Sequence, residues 1–308
     1  MTVTDTHRIV IAVLTYQRPD DLAELLPELL TQAEESDENV RILVVDNDPA
    51  GSAASVCAPF AEQGVSYVLE TTPGISAARN RALEEAGDDN LLVYIDDDER
   101  PAPQWLHHLV ALYRAETPAG VVGPVVSRFA HEPDEFITAG RFFERRRLPT
   151  GTPVDVAATN NLLLDLRQTQ GLRFDADFGI SGGSDTLFTR QLSQSGRRLL
   201  WCDEALVYDI VPPSRLTRGW VLNRAYRSGN SWSRTSIRLA RTPVDRVTTR
   251  LHLTVQGVAR LASGAVLRVA GAPTRLRHLE ARGLRRLSRG GGMLAGAWGH
   301  VYSEYRRS

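Results

Sequence analysis

The first 125 residues of the chain alternate short apolar runs with segments of helical periodicity. The runs RIVIAVLTY (8–16), VRILVVDND (40–48) and NLLVYIDDD (90–98) stay largely apolar until each ends in polar residues. Continuous apolar strands are typical of parallel sheets that helices cover on both faces. We therefore predict a doubly wound α/β region. Its other predicted elements are helices at 20–33, 52–64 and 74–87 and a strand at 65–70.

Beyond residue 120 the pattern is less regular. Strand-like runs at 120–129 and 198–211 stand on either side of an irregular stretch, 131–155, that is rich in Arg, Pro and Gly. The loop FGISGGSD leads into a predicted helix at 185–196. After residue 214 the pattern is helical to the end of the chain.

Charge and cysteine content limit the function classes. The net charge of −1 predicts no overall attraction to nucleic acid, so we expect no nucleic-acid partner. Cys57 and Cys202 are too few for a disulfide framework, which favours a reducing compartment. The first apolar run ends at Gln17 and Arg18 and does not resemble a signal peptide, and no run approaches ~18 apolar residues. We expect a cytoplasmic protein.

The ends of three predicted strands carry polar clusters, at 15–18, 46–48 and 96–99. In an open parallel sheet, ligands bind beyond the carboxyl ends of the strands, so we expect these clusters to converge on a ligand. The chain has no G-x-G-x-x-G after its first strand and no G-x-x-x-x-G-K-[ST]. These absences disfavour the classical dinucleotide and P-loop sites.

Asp96, Asp97 and Asp98 end the strand at 90–98. Their oxygens suit Mg²⁺ or Mn²⁺, which takes one or two protein carboxylates and completes its shell with substrate phosphates. The alternative is a solvated acidic turn whose charges face the N-terminus of the next helix. The residues alone leave both interpretations open.

Asp46 and Arg79 are further candidates. Asp46 suits hydrogen bonds to a base or ribose, whereas the following Asn47 and Asp48 fit a turn in DNDPAG. Arg79 lies one turn into the helix that starts near residue 74, where helix amides and a guanidinium suit a phosphate. The alternative for Arg79 is a surface ion pair with an acidic residue at 84 or 85.

The loop GISGGSD places Gly182 and Gly183 before Asp185. Glycine permits close approach of the backbone to a ligand. A carboxylate at this position suits a general base, but Ser184 and Asp185 equally predict a helix cap.

A set of motifs occurs in a fixed order along the chain: VLTYQRP, VVDNDPAGSA, PGISAARNRAL, IDDDERP, TNNLLL, FDADFGISGGSD and VPPSRLTRGWVLNRAYRSGNS. Together they resemble the family 2 glycosyltransferases, and among these the succinoglycan glucosyltransferases. The resemblance spans about residues 8–235, and the ordered set is far more specific than any one motif. Ser184 departs from the subgroup, which usually has glutamate there. The Q-x-x-R-W motif of processive members is absent, which favours a non-processive enzyme.

The resemblance implies a GT-A fold with a mixed doubly wound sheet and an inverting, metal-dependent transfer. Residues 1–125 would bind the nucleotide-sugar, 126–245 the acceptor, and 246–308 would form a basic helical extension. Asp98 would ligate Mn²⁺ or Mg²⁺, and Asp185 would deprotonate the acceptor hydroxyl. The other residues that the resemblance assigns are those of the donor site, Thr15, Arg18, Asp46, Arg79, Asp96 and Asp97, and those of the acceptor site, Asn161, Gly182 and Gly183.

The tail is strongly basic, with 12 arginines against two glutamates over 246–308 and therefore a net charge of +10. On a helical wheel of 246–269, arginines at 246, 250, 260 and 268 share one side, and apolar residues at 251, 255, 258, 262, 266 and 269 share the other. We predict that residues 246–289 bind an anionic membrane surface. The alternative is packing on the catalytic domain or on a second subunit of a homo-oligomer. For the segment GGGMLAGAW (290–298) the sequence leaves open whether it is a hinge or a further insertion point.

The predicted activity is transfer of a hexose, with UDP-glucose as the first donor to test, to a glycan or lipid-linked oligosaccharide. The setting is polysaccharide biosynthesis at the inner face of the cell membrane. One alternative is a sugar nucleotidyltransferase, which needs a glycine-rich phosphate loop that VLTYQRPDDL lacks. The other is a catalytically degenerate binding subunit, which only Ser184 favours.

Overall fold

The computed structural model describes residues 6–169, 171–274 and 276–302. The chain forms two compact units, and neither is contiguous in sequence. The first unit contains the residues up to Val126 with Arg145–Gly179 and Phe188–Asp209; the second contains Ser127–Glu144, Ile180–Leu187 and the residues from Ile210 onward. This division differs from the three consecutive segments expected from the sequence, because two later segments return to the first unit and the basic tail packs with the helix before it.

The strands of the described residues are mostly buried. They are β1 (Arg8–Thr15), β2 (Asn39–Asp46), β3 (Val65–Leu69), β4 (Leu91–Asp96), β5 (Glu99–Pro101), β6 (Gly120–Val122), β7 (Val125–Phe129), β8 (Asn161–Asp165), β9 (Leu199–Trp201) and β10 (Val207–Val211). The run predicted at 120–129 divides at Pro124, which has no amide hydrogen to donate to a sheet. The run predicted at 198–211 is likewise two strands, β9 and β10.

The helices are α1 (Pro19–Glu34), α2 (Ala54–Cys57), α3 (Ile75–Glu85), α4 (Trp105–Glu116), α5 (Glu135–Ala139), α6 (Ser184–Gln194), α7 (Arg218–Leu239), α8 (Pro243–Thr274) and α9 (Arg277–Ala297). Proline opens α1, where its fixed φ and missing amide hydrogen cost nothing. The helix predicted at 52–64 is the short α2 followed by a 3-10 turn, Ala58–Gln63. Among the described residues, none of the helices has the length and apolar character needed to cross a membrane.

The large sheet has the strand order β3-β2-β1-β4-β8-β6-β9. β1, β2, β3 and β4 pair in parallel, whereas β8 runs antiparallel to both β4 and β6. The mixed sheet is therefore confirmed. A smaller sheet has the order β5-β10-β7.

The core of the first unit has two layers, one on each face of the large sheet. Alternate residues of β1 enter different layers: Ile9 and Ile11 pack with α1 and α4, and Val10 and Ala12 pack with α3. Successive side chains of a strand point to opposite faces, so a strand that is apolar throughout must be covered on both sides. The doubly wound prediction is confirmed.

In the second unit, α9 packs against both α7 and α8 through glycines. A Cβ atom at Gly292 would lie 1.9 Å from the carbonyl oxygen of Tyr226 in α7, and one at Gly290 would lie 2.8 Å from that of Gly257 in α8. Only the missing side chain of glycine allows backbones to approach so closely. Most of the segment 290–298, for which the sequence left a hinge and an insertion point open, lies inside α9.

Candidate functional site

The carboxyl ends of β1, β2 and β4 lie side by side at one edge of the large sheet. β1 lies between the other two strands, and its register pairs Thr15 with Asp46 and Leu14 with Asp96. The three polar clusters that follow these strands therefore converge, as predicted. This edge is where an open α/β sheet binds ligands.

Residues at the end of β1 and just after it hold the acidic turn, residues 96–98, at the end of β4. The Thr15 hydroxyl donates to Oδ2 of Asp97 at 2.8 Å. Arg18 Nη1 donates to Oδ1 of Asp97 and to Oδ2 of Asp98, each at 2.9 Å. Burial alone would lower the pKa of Arg18, but the charges of Asp97 and Asp98 outweigh burial and raise it. Because its side chain is still 39% exposed, Arg18 can also meet a ligand.

The acidic turn concentrates negative charge in a poorly solvated place. Burial, followed by the charge of Asp98, raises the pKa of Asp96 to about 7, and the charge of Arg79 opposes that rise. Burial raises the pKa of Asp97 to about 6, although the charge of Arg18 lowers it. A cation bound here would stabilise the ionised carboxylates.

Glu99 and Arg100 stabilise the acidic turn through hydrogen bonds to its backbone. The sequence interpretation assigned no role to either residue. Glu99 is buried; its Oε2 accepts from the Asp96 amide at 3.2 Å and its Oε1 accepts from Asn160 Nδ2 at 2.6 Å. Arg100 Nη1 donates to the Glu99 carbonyl at 2.8 Å and to the Asp97 carbonyl at 3.3 Å. The signal that could have found them is their position directly after the three aspartates.

Arg145 is a further cation near the turn. Its Nη2 donates to Oδ2 of Asp209 at 2.6 Å, and Asp209 is the β10 partner of Glu99 in β5. Burial raises the pKa of Glu99 well above its usual value, and the charge of Arg145 opposes the rise. Arg145 comes from the irregular stretch at 131–155, so no local motif points to it.

Asp46 is completely buried, at 0% exposure. Its carboxylate accepts from the amides of Asp48 and Ala53, both at 2.9 Å, and from the Tyr67 hydroxyl at 3.2 Å. Through these contacts the Asp46 side chain stabilises the turn after β2, as expected of an Asx-type turn. The turn interpretation, made for Asn47 and Asp48, thus extends to Asp46.

Asn47 links this turn to the start of α3. Its Nδ2 donates to the carbonyls of Glu70 and Thr72, both at 2.8 Å, and its Oδ1 accepts from the Gly74 amide at 3.0 Å. Gly74 has φ of 115°, and a Cβ atom there would lie 3.2 Å from the Gly179 backbone. Only glycine suits both conditions.

Arg79 lies on α3 with its guanidinium carbon 5.5 Å from the centre of the Phe174 ring. Its carbonyl accepts from the Tyr94 hydroxyl at 2.8 Å. The helix ion pair considered for Arg79 instead joins Arg81 to Glu85 at 2.7 Å. Because Arg79 also lowers the pKa of Asp96, its charge acts on the acidic turn.

The residues at the turn fit a divalent cation that a ligand brings with it. Within the part of the chain that the structure describes, no group of three or more His, Cys, Asp or Glu is arranged to hold a metal ion. Asp96 and Asp98 are nevertheless half-buried carboxylates at the ligand-binding edge. One or two carboxylates are what Mg²⁺ or Mn²⁺ takes from a protein when phosphate oxygens supply the rest.

Asn161 does not occupy the position expected of an acceptor-binding residue. It is 1% exposed, and its Nδ2 donates to the carbonyls of Pro124 at 3.0 Å and Ala205 at 2.7 Å. Its Oδ1 accepts from Trp105 Nε1 at 2.9 Å. This buried network argues against acceptor contact, because the whole amide already has partners.

Asp185 belongs to the second unit. Helix α6 begins at Ser184, and Oδ1 of Asp185 accepts from the Thr186 amide at 2.7 Å. The carboxylate is half-buried at the start of the helix, and Ser184 is fully buried. Gly182 and Gly183 have φ of 76° and 96°, which glycine adopts readily. The predicted glycine turn before the carboxylate is therefore present.

Known proteins resemble this chain in sequence and in fold. The sequence model of Glycosyl transferase family 2 matches residues 10–165. The succinoglycan biosynthesis protein ExoM of Rhizobium meliloti (strain 1021) is 32% identical over 235 residues, which cover 75% of each protein.

Two solved structures resemble the chain at low identity. The mannosyltransferase PcManGT from Pyrobaculum calidifontis, in complex with GDP-Man and Mn²⁺, gives a TM-score of 0.64 at 17% identity and covers 96% of this chain and 88% of its own. S. aureus TarS 1-349, in complex with UDP, gives 0.53 at 14% identity, with 91% and 90% covered. These likenesses concern the fold, and they confirm the GT-A prediction.

Proposed function

Because this chain belongs to glycosyltransferase family 2, we propose that it transfers a hexose from a nucleotide-sugar to a glycan or lipid-linked oligosaccharide in polysaccharide biosynthesis. The observation that carries the proposal is the acidic turn of β4, which Thr15 and Arg18 hold at the ligand-binding edge of the sheet. The match to a succinoglycan biosynthesis protein supports the setting, and UDP-glucose is the first donor to test.

The donor site would be formed by residues of the first unit. Asp98 would hold Mn²⁺ or Mg²⁺, which supplies positive charge to the diphosphate when it is bound. Arg18 and Arg79 would bind diphosphate oxygens, and Asp96 and Asp97 would contact the metal shell or the ribose. Asp46 would act on the donor pocket through the turn that it closes.

The transfer would be a single inverting displacement. The carboxylate of Asp185 would take the proton of the acceptor hydroxyl while the oxygen attacks the anomeric carbon and the bond to the diphosphate breaks. The nucleoside diphosphate leaves with the bonding electrons, so no covalent enzyme intermediate forms. The half-buried carboxylate, which follows two glycines of positive φ, supports this role. The absent Q-x-x-R-W motif supports the addition of one sugar per encounter.

We place the enzyme in the cytoplasm, held peripherally at the inner face of the cell membrane. A lipid-linked acceptor resides at that surface, so docking there would concentrate the enzyme near its substrate. The charge of the C-terminal helices supports this location.

The test is release of nucleoside diphosphate from a panel of nucleotide-sugars with Mn²⁺, Mg²⁺ or EDTA. Wild type should hydrolyse one donor slowly with metal, Asp98→Ala should not, and the exposed control Asp88→Ala should match wild type. If no donor turns over, donor binding is measured by calorimetry, and metal-dependent binding lost in Asp98→Ala still supports the donor site. Absence of both turnover and binding for every donor would overturn the proposal.

A further inference from the structure

Helix α8 presents a continuous apolar stripe to solvent. Seven large apolar residues, each between 52% and 72% exposed, recur every three or four positions, with Ala262 filling the longest interval: Val244, Val247, Leu251, Val255, Val258, Val266 and Val269. Such spacing places them on one face of the helix. At ~1.5 Å per residue the stripe is about 38 Å long.

The opposite face of α8 is the one that packs. Leu253 is buried, and a Cβ atom at Gly264 would lie 2.8 Å from the carbonyl oxygen of Gly283 in α9. Arg260 also lies on this side, because its Cβ is 3.0 Å from where a Cβ at Gly290 would stand. A helix of a globular protein normally buries its large apolar residues and exposes its small and charged ones. In α8 the large apolar residues are among the exposed ones, so the stripe is available to a partner.

The charge around the stripe is positive. α8 and α9 together carry nine arginines against Asp245 and Glu280. Arg246, Arg250 and Arg268 are exposed on α8 itself. These arginines leave the helix on the side away from the stripe, as the helical wheel predicts. A partner must therefore accept an apolar face that cations accompany on the rest of the helix.

We propose that the stripe of α8 docks this protein on an anionic lipid bilayer, with the helix lying in the plane of the interface. The valines enter the headgroup region, and the arginines meet lipid phosphates, as in other basic amphipathic helices. Pairing of the same face in a second copy would bring two strongly basic helices together, and like charges oppose that contact. The proposal refines the membrane contact expected of residues 246–289 by assigning it to α8 and naming the face. It is independent of the transferase chemistry.

Vesicle flotation of the full chain tests the proposal without any sugar substrate. Wild type should bind vesicles that contain about a third phosphatidylglycerol, bind phosphatidylcholine vesicles weakly, and lose binding as salt is raised. Val255→Ser with Val266→Ser should reduce partitioning at least tenfold, because each serine replaces an apolar side chain that leaves water on binding by a polar one. Arg246→Gln with Arg250→Gln should reduce it about fivefold per arginine on anionic vesicles only.

The matched control is Leu69→Ser, which removes an exposed apolar side chain from the end of β3 and should bind like wild type. The altered residues are exposed, so the substitutions should not disturb the fold. Thermal unfolding of each variant checks this. Unchanged binding of the valine variant, or no binding by wild type, would overturn the proposal. So would a stable dimer in sedimentation equilibrium that the valine variant converts to monomer, because the partner would then be a second copy.

Discussion

Arg18 donates from Nη1 to Oδ1 of Asp97 at 2.9 Å. The same nitrogen reaches Oδ2 of Asp98 at 2.9 Å, so one guanidinium neutralises two carboxylates of the turn. A residue assigned to donor binding therefore also shapes the acidic turn. Removing the Arg18 side chain should therefore weaken the donor site twice, by losing a contact to the donor and by releasing the acidic turn.

Arg18→Ala should lower the affinity for the preferred nucleotide-sugar about 10- to 100-fold, because a hydrogen bond to a charged group contributes roughly 1.5–3 kcal/mol. Calorimetry with Mn²⁺ present measures this. Arg198→Ala is the matched control, since it removes an exposed pair with Glu116 and should not change the affinity. Wild-type affinity in Arg18→Ala would contradict the assignment of Arg18.

Glu99→Ala should lower the free energy of unfolding by about 1–3 kcal/mol, because it leaves the Asp96 amide and the Asn160 amide without their acceptor. Urea unfolding measures the loss. Glu99→Gln keeps the shape and an acceptor oxygen and should lose less. A double-mutant cycle with Asn160→Ala should show coupling, and strictly additive effects would contradict the bracing role of Glu99.

Stability should depend on pH through Asp96, whose pKa is raised from 3.8 to about 7. A carboxyl with a higher pKa in the folded protein than in the unfolded chain keeps its proton longer when folded, so the free energy of unfolding falls as pH rises through that window. Each pKa unit corresponds to about 1.4 kcal/mol. Urea unfolding in EDTA at pH values between about 4 and 8 should show this fall. Asp96→Asn should make the fall shallower without removing it, because the pKa values of Asp97 and Glu99 are raised too. An unchanged slope would assign the effect to those other groups.

Gly292→Ala should destabilise the second unit by about 1–3 kcal/mol, because its Cβ would lie 1.9 Å from the Tyr226 carbonyl oxygen and force α7 and α9 apart. Gly291→Ala is the control, since the nearest atom to its Cβ is 3.8 Å away. Alanine at 291 should be neutral or stabilise by up to about 1 kcal/mol through helix propensity. Thermal unfolding compares the stabilities of the two variants. Equal stabilities would show that α7 and α9 do not pack as described.

Asp185→Asn should reduce turnover roughly 10²- to 10⁴-fold while donor affinity stays at the wild-type value, as expected when a general base is lost. Steady-state kinetics with the acceptor, together with donor calorimetry, separate the two effects. The control is Asp88→Asn, which removes an exposed carboxylate outside the proposed site and should leave turnover and donor affinity unchanged. Full turnover in Asp185→Asn would assign the base to another residue.

The sheet and the meeting of the polar clusters were predictable from the sequence. Apolar runs without alternation demand cover on both faces, and parallel strands bring their carboxyl ends to one edge. Thr15, Arg18 and the three aspartates therefore converge as expected. The turn that Gly182 and Gly183 form before Asp185 also followed from the residue type, because the backbone freedom of glycine is a local property.

Contacts between distant segments were decided by the tertiary structure alone. Arg145 meets Asp209 across 64 residues, and Asn161 is enclosed by Trp105 and two carbonyls that no motif connects to it. The helical wheel of α8 separated arginines from valines but left undecided which side would pack. The glycines decided it, because Gly257 and Gly264 allow α9 to approach so closely that the large apolar residues are left outside. Periodicity describes one helix at a time, whereas burial depends on the shape of the neighbour.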